Sequence, residues 1–184
     1  MYYKQLVKVP NLANIEPINL HIQYGKNDEQ GVFRGIQYYT ALGNFALAYD
    51  VIPERYRTDF SPLLMSINRN IPPHTDSGIL ASLNFYLVTS NCRTVFYEPK
   101  KDAEIVQHQI PNQTNGRIFE LDNLVQVDQF VANSGECYLL DVTKAHAVYN
   151  MSNEVVERKA FVLQTRIHSF STVCDMLAKT GYIN

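Results

Sequence analysis

Short segments rich in apolar residues, several alternating with polar ones, run through most of the chain and predict strands far more often than helices. Residues 32–39 read as a first strand and residues 63–68 as an apolar second, broken by Pro72 and Pro73. Residues 79–89 alternate, residues 93–97 are short and aromatic, and residues 104–110 alternate again. A turn cluster at 112–116 precedes one or two strands reaching to Val131, and segments 136–142, 145–149 and 157–168 follow. Helical patterning is confined to residues 40–49, despite Gly43, and to residues 171–179. In the latter, Val173, Met176 and Leu177 recur at helical spacing, Ser171 or Thr172 stands where a cap is expected, and Gly181 stands at the end. Residues 52–60 read as loop or helical turn. The first thirty residues are irregular, with Pro10, Pro17 and a polar loop at 25–31.

Many short strands at this spacing predict a mainly β fold: a sandwich, barrel or jelly roll, with the C-terminal helix packed outside the sheets. No linker, repeat or low-complexity tract divides the 184 residues, so residues 1–184 are expected to form one domain with its core at about 63–168. Tyr is abundant and Trp absent, which adds to the β preference. A net charge of −2, without a run of Lys and Arg, argues against nucleic acid as a partner. The three cysteines, Cys92, Cys137 and Cys174, are odd in number and widely spaced, which argues for a reducing compartment. No segment has the apolar core of a signal peptide or the length of a membrane span, so a cytoplasmic protein is expected. Nothing in the pattern speaks to oligomeric state.

Candidate chemistry centres on the segment Ile71-Pro-Pro-His-Thr-Asp-Ser-Gly78. In extended chain, residues two apart face the same side, so His74 and Asp76 can offer a ring nitrogen and a carboxylate oxygen to one point. The two prolines stiffen the approach. A third ligand must come from a distant strand, and His146, at the start of a short apolar segment, is the candidate. Two His and one carboxylate leave three positions of an octahedron open, as in non-haem iron(II) oxygenases. The His-x-acidic pair is weak by itself, because the composition predicts roughly 0.5 such pairs by chance. Without a metal, His74 would be a loop histidine bonded to Asp76 and His146 a core or edge histidine. The ordered set of residues carries the argument.

A cosubstrate with two carboxylates also needs a cation, a role that the planar fork of Arg fills best. Arg158, Ala160, Val162 and Gln164 share one face of the last strand, and Lys159, Phe161 and Leu163 the other. The inward cation is Arg158 if the first face looks inward and Lys159 if the second does.

These pieces resemble the iron(II)/2-oxoglutarate oxygenases, particularly the aspartyl/asparaginyl β-hydroxylase-like and proline-hydroxylase-like members. The matching segments are 73–76, 81–87, 91–97, 135–141, 144–150 and Arg158, in the family's order; the first sixty residues carry no match. The resemblance implies a double-stranded β-helix, a cupin-like barrel, with iron(II) held by His74, Asp76 and His146. It implies that Arg158 binds the cosubstrate 2-oxoglutarate, with Asn84 nearby, and that dioxygen is consumed in hydroxylating a peptide or small-molecule substrate. The glycine before the strand leading to His146, Gly135, is expected to mark a turn.

Two other readings stay open at this point. One is a non-catalytic jelly roll with a binding or structural role. The other is a metal-binding cupin-like protein or zinc hydrolase with different chemistry, in which Arg158 would have no task. Motifs for zinc peptidases, phosphate loops and nucleophile elbows are missing. His21, His108 and His168 read as surface or structural residues and the cysteines as packing. Specificity is expected from the N-terminal region and an insert at 102–133, with Tyr38, Tyr39 and Tyr97 as pocket candidates.

Overall fold

A computed structural model of the chain describes residues 1–10, 12, 22–24, 36–40, 46–101, 107–109, 116–151 and 157–184. In chain order the strands are β1 (Tyr3–Gln5), β2 (Ile22–Tyr24), β3 (Ile36–Thr40), β4 (Phe60–Ile67), β5 (Ile71–Thr75), β6 (Ala81–Val88) and β7 (Cys92–Pro99). Then come β8 (Gln107–Gln109), β9 (Arg117–Phe119), β10 (Leu124–Val131), β11 (Cys137–Leu140), β12 (His146–Asn150) and β13 (Arg158–Thr165). A four-residue helix α1 (Ala46–Tyr49) and a 3-10 turn (Glu54–Asp59) precede β4, and α2 (Phe170–Lys179) follows β13.

One sheet has the order β1-β11-β6-β13-β4-β3-β2 and the other β10-β7-β12-β5-β9-β8. From β4 to β7 the chain steps back and forth between the two sheets. β10 then lies antiparallel beside β7, and β11 to β13 step between the sheets again, each antiparallel to the earlier strands it meets. This is the double-stranded β-helix, with β11-β6-β13-β4 facing β10-β7-β12-β5. The expected jelly roll is therefore the observed fold, with β1 extending the larger sheet at one edge and β3 and β2 at the other.

The alternation within β13 sets the layering. Ala160 and Val162 pack between the sheets with Met65, Ile67, Tyr86 and Val148, whereas Phe161 and Leu163 pack outward with Val173 and Leu177 of α2. Both faces of the larger sheet are thus buried around β6, which explains why β6 is buried from Ala81 to Tyr86 and reads as a nearly continuous apolar run. Gly135 adopts φ +88° in the turn before β11, and its N–H donates to Tyr86 O at 2.8 Å. No side chain crowds that position, so the requirement is conformational.

Several boundaries differ from expectation for identifiable reasons. Pro72 and Pro73 do not break a strand but sit inside β5. His74 pairs with His146 and Ile71 with Val148, so three steps of β5 oppose two of β12. The extra residue is a bulge, where a missing N–H leaves no ladder bond unmade. On the other side β5 meets β9 only at His74 and Thr75, beyond the prolines. Phe60 opens β4, ahead of the expected start at Leu63. Helix α2 is capped by Ser169, whose hydroxyl accepts from the Thr172 N–H at 3.2 Å; Ser171 and Thr172 lie inside the first turn. Gly181, at φ +71°, follows the helix end as expected. The region 102–133 is not all insert, because β10 within it belongs to the core. The expected loop at 25–31, the strand's first residues 32–35, the helix residues 41–45 and most of the turn at 112–116 lie outside the described residues.

Candidate metal centre

The bulged pairing of β5 with β12 brings His74 and His146 side by side, with ring centroids 4.3 Å apart. Asp76, one residue beyond β5, places Oδ1 3.5 Å from His74 Nε2 and 4.0 Å from His146 Nε2. The three potential donor atoms lie within 4.8 Å of one another, and no other group of three His, Cys, Asp or Glu among the described residues is so placed.

The tautomers follow from the backbone. His74 Nδ1 lies 2.8 Å from Pro72 O and His146 Nδ1 lies 2.9 Å from Lys144 O. A carbonyl can only accept, so each Nδ1 carries a hydrogen, which in a neutral ring leaves the Nε2 lone pair facing inward. Such backbone contacts are how proteins fix a metal-ligating His. Two Nε2 lone pairs and a carboxylate then converge on one point, an arrangement that a cation relieves. Burial, together with the neighbouring His74, lowers His146 to about 4, so its ring is neutral at pH 7. Burial pushes the Asp76 carboxyl up, but the neighbouring His74, His146 and Arg166 side chains outweigh it and hold Asp76 below the ordinary carboxylate value. The cluster fits a metal ion with three protein ligands.

The cluster lines a cavity between the sheets, together with Asn84, Tyr86, Thr94 and Arg158. Arg158 is 2% exposed. Its Nη2 donates to Tyr86 Oη at 2.5 Å and to Thr94 Oγ1 at 2.9 Å, and its guanidinium lies 4.4 Å from the Tyr86 ring centre. Among the described residues, Nε and Nη1 are buried without a hydrogen-bond partner and no carboxylate pairs with this charge. Lys159 faces the other way and pairs with Glu157 at 2.7 Å. The choice between the two cations thus falls to Arg158 on geometry.

Asn84 stands in the cavity wall, its Oδ1 accepting from Ser82 Oγ at 2.7 Å. Tyr38 also lines the cavity. Tyr97 does not; it lies on the outer face of the smaller sheet, its hydroxyl donating to Tyr149 Oη at 3.1 Å. His168 bonds Asp59 at 2.7 Å and stacks on Phe60, a structural role as expected. His21 and the side chain of His108 lie outside the described residues. The three cysteines are free. Sequence reasoning missed Tyr86 and Thr94. Tyr86 was within reach, since it is two residues beyond Asn84 on the same strand face; Thr94 is recognised only once β7 and β13 are opposed.

No protein-family model matches this chain, and no curated protein matches it. Among solved structures, ligand-free L-ribose isomerase from Cellulomonas parahominis matches at 15% identity and a TM-score of 0.37, covering 78% of this chain and 70% of that one. The same enzyme with L-psicose matches at 13% identity and a TM-score of 0.37, covering 89% of this chain and 83% of that one. At that likeness neither bears on what this chain does. The strand order and the His-Asp-His cluster by themselves define a double-stranded β-helix protein with a candidate metal centre. No helix among the described residues is long and apolar enough to cross a membrane.

Proposed function

We propose that this protein is an iron(II)- and 2-oxoglutarate-dependent dioxygenase. The observation that carries the reading is Arg158: a buried guanidinium with two unpartnered nitrogens, in the same cavity as a three-ligand metal cluster. Burying a charge without a counter-ion is expensive, and an inert jelly roll or a metal hydrolase gives this one nothing to do. A dicarboxylate cosubstrate supplies the missing anion.

His74, Asp76 and His146 would hold iron(II) and leave its remaining positions open to cosubstrate and dioxygen. Bound there, iron(II) supplies the redox chemistry by which dioxygen oxidises 2-oxoglutarate to succinate and carbon dioxide and hydroxylates a substrate C–H bond. Arg158 would take the distal carboxylate through charge-assisted hydrogen bonds, its guanidinium held in place by Tyr86 and Thr94. Asn84 would contribute a polar contact near the cosubstrate. Leu140, Val142, Val148 and Val162 line the same cavity and limit water around the reacting groups. Apart from the metal ligands and Arg158, the described residues of this lining carry no charge, which supports a peptide side chain or small metabolite with an uncharged reacting group as substrate.

The test is succinate formation by purified protein supplied with iron(II), ascorbate and 2-oxoglutarate. Slow turnover without added substrate, abolished by His74→Ala, is expected. Titrations showing that the protein binds neither iron(II) nor manganese(II) would sink the proposal.

A further inference from the structure

His74 and Asp76 arrive from one strand and His146 from another some seventy residues later, yet their donor atoms meet within 4.8 Å. One short turn touches both arms. Between β11 and β12, Val142 O accepts from the Asp76 N–H at 3.0 Å, and two residues later Lys144 O accepts from His146 Nδ1 at 2.9 Å. Val142 is buried and its side chain lines the cavity, whereas Thr143 and Lys144 are exposed.

What shapes this turn is Asp141. Its Oδ1 accepts from the Thr143 N–H at 3.2 Å and from the Thr143 hydroxyl at 2.5 Å, and its own carbonyl accepts from the Lys144 N–H at 3.2 Å. A side-chain oxygen bonded to the N–H two residues on makes an Asx turn, which here nests inside a four-residue backbone turn. The Asp141 N–H is itself held by Tyr2 O at 2.9 Å, continuing the pairing of β1 with β11. The turn is therefore tied to the larger sheet at its base and presents two carbonyls to the metal ligands.

We infer that Asp141 is a positioning residue for the metal centre: by building this turn it aims the Lys144 carbonyl at His146 Nδ1 and the Val142 carbonyl at the Asp76 backbone. If the turn opens, His146 Nδ1 loses its acceptor. The ring is then free to rotate or to move its hydrogen to Nε2, which removes the lone pair that a metal needs. His74 is outside this control, because its Nδ1 acceptor is Pro72 O on its own strand.

The inference rests on the proposed metal site, and two measurements separate the failure of one from the failure of the other. In metal-free protein, a long-range ¹H–¹⁵N spectrum of the histidines should show the Nδ1–H form for both His74 and His146. Asp141→Ala should shift His146 toward a mixture of tautomers and leave His74 unchanged. By manganese(II) titration, Asp141→Ala should bind about 10- to 100-fold more weakly, the range expected when such supports of a ligand are lost. Asp141→Asn, whose amide oxygen can still accept from Thr143, should stay near wild type in both measurements. If wild type binds no manganese(II), the metal reading fails, whereas the tautomer test of the turn still applies. An Asp141→Ala protein that is folded by circular dichroism, with His146 unshifted and affinity unchanged, overturns the inference. So does Asp141→Asn as weak as Asp141→Ala, because charge alone would then be the cause. Should Asp141→Ala not fold, Thr143→Ala removes one bond of the same turn at an exposed position. A smaller shift of His146 in the same direction is expected there, and none overturns the inference.

Discussion

Arg158 on β13 donates a hydrogen bond across the gap between the sheets to Thr94 Oγ1 on β7, at 2.9 Å. The bond joins two strands that are not neighbours in either sheet, and it pins the guanidinium so that its unpartnered nitrogens keep one position. A group fixed this way is pre-organised for a planar anion, and little further ordering is needed on binding.

Replacing Arg158 should therefore separate binding from folding. Arg158→Met removes a buried charge that has no carboxylate partner among the described residues. Its metal-free melting temperature should not fall below wild type, while affinity for 2-oxoglutarate drops at least about 10-fold, as expected for losing hydrogen bonds to a charged group. Arg158→Lys keeps the charge but not the fork, and should fall between the two. Calorimetric titration of manganese-loaded protein with 2-oxoglutarate decides it. Undiminished affinity in Arg158→Met would remove Arg158 from the site.

The metal cluster makes a second prediction. A ligand bound only by the folded state raises stability by about 2.7 kcal/mol at 100 times its Kd, which for a chain of this size is a melting shift of roughly 5–10 °C. Wild type should show a shift of this order with manganese(II) in thermal melts, and His74→Ala, Asp76→Ala and His146→Ala should each lose most of it. Equal shifts in wild type and all three variants would place the ion elsewhere.

Much of this was legible in the sequence, and the reasons are local. Strands reveal themselves through a period of two, and a His opening an apolar strand or an Arg on a Val-rich one stands out against that period. What stayed hidden depends on pairing. Whether Arg158 or Lys159 faces inward follows from the opposition of β13 and β7, and the order of residues 158–164 is the same either way. Pro72 and Pro73 read as a break because the bulge that tolerates them is a property of β5 and β12 together. The β1 extension is three residues long and has no pattern of its own; it exists because the edge of β11 can pair with it. The Asp141 turn was likewise unread, since its purpose lies in the strands it touches.

The cap of α2 is a small correction with a measurable consequence. The Ser169 side chain accepts from the Thr172 N–H, so Ser169→Ala should destabilise the protein by about 1 kcal/mol. Ser171, inside the first turn, should tolerate Ala with a much smaller change. Urea unfolding midpoints of the two variants provide the comparison, and the reverse ranking would restore Ser171 as the cap.

Alkaline pH should destabilise the fold through two tyrosines that are not among the candidate metal ligands. Burial raises the Tyr97 hydroxyl, helped by its hydrogen bond and proximity to Tyr149 and only partly countered by Arg93. Burial likewise raises Tyr138, with the Glu136 charge and hydrogen bond acting in the same direction. In the unfolded chain both ionise near pH 10. Their folded values lie higher, so the unfolded state loses its protons first and the folded state is progressively disfavoured as pH rises. The stability they contribute is fully present below about pH 10 and is lost as pH climbs from there toward the folded values. Urea midpoints measured from pH 8 to pH 11.5 should hold their slope up to about pH 10 and then fall more steeply. In a Tyr97→Phe, Tyr138→Phe double variant part of that extra fall should disappear, whatever the change in midpoint at pH 8. If the double variant falls as steeply as wild type above pH 10, these two hydroxyls are not its source.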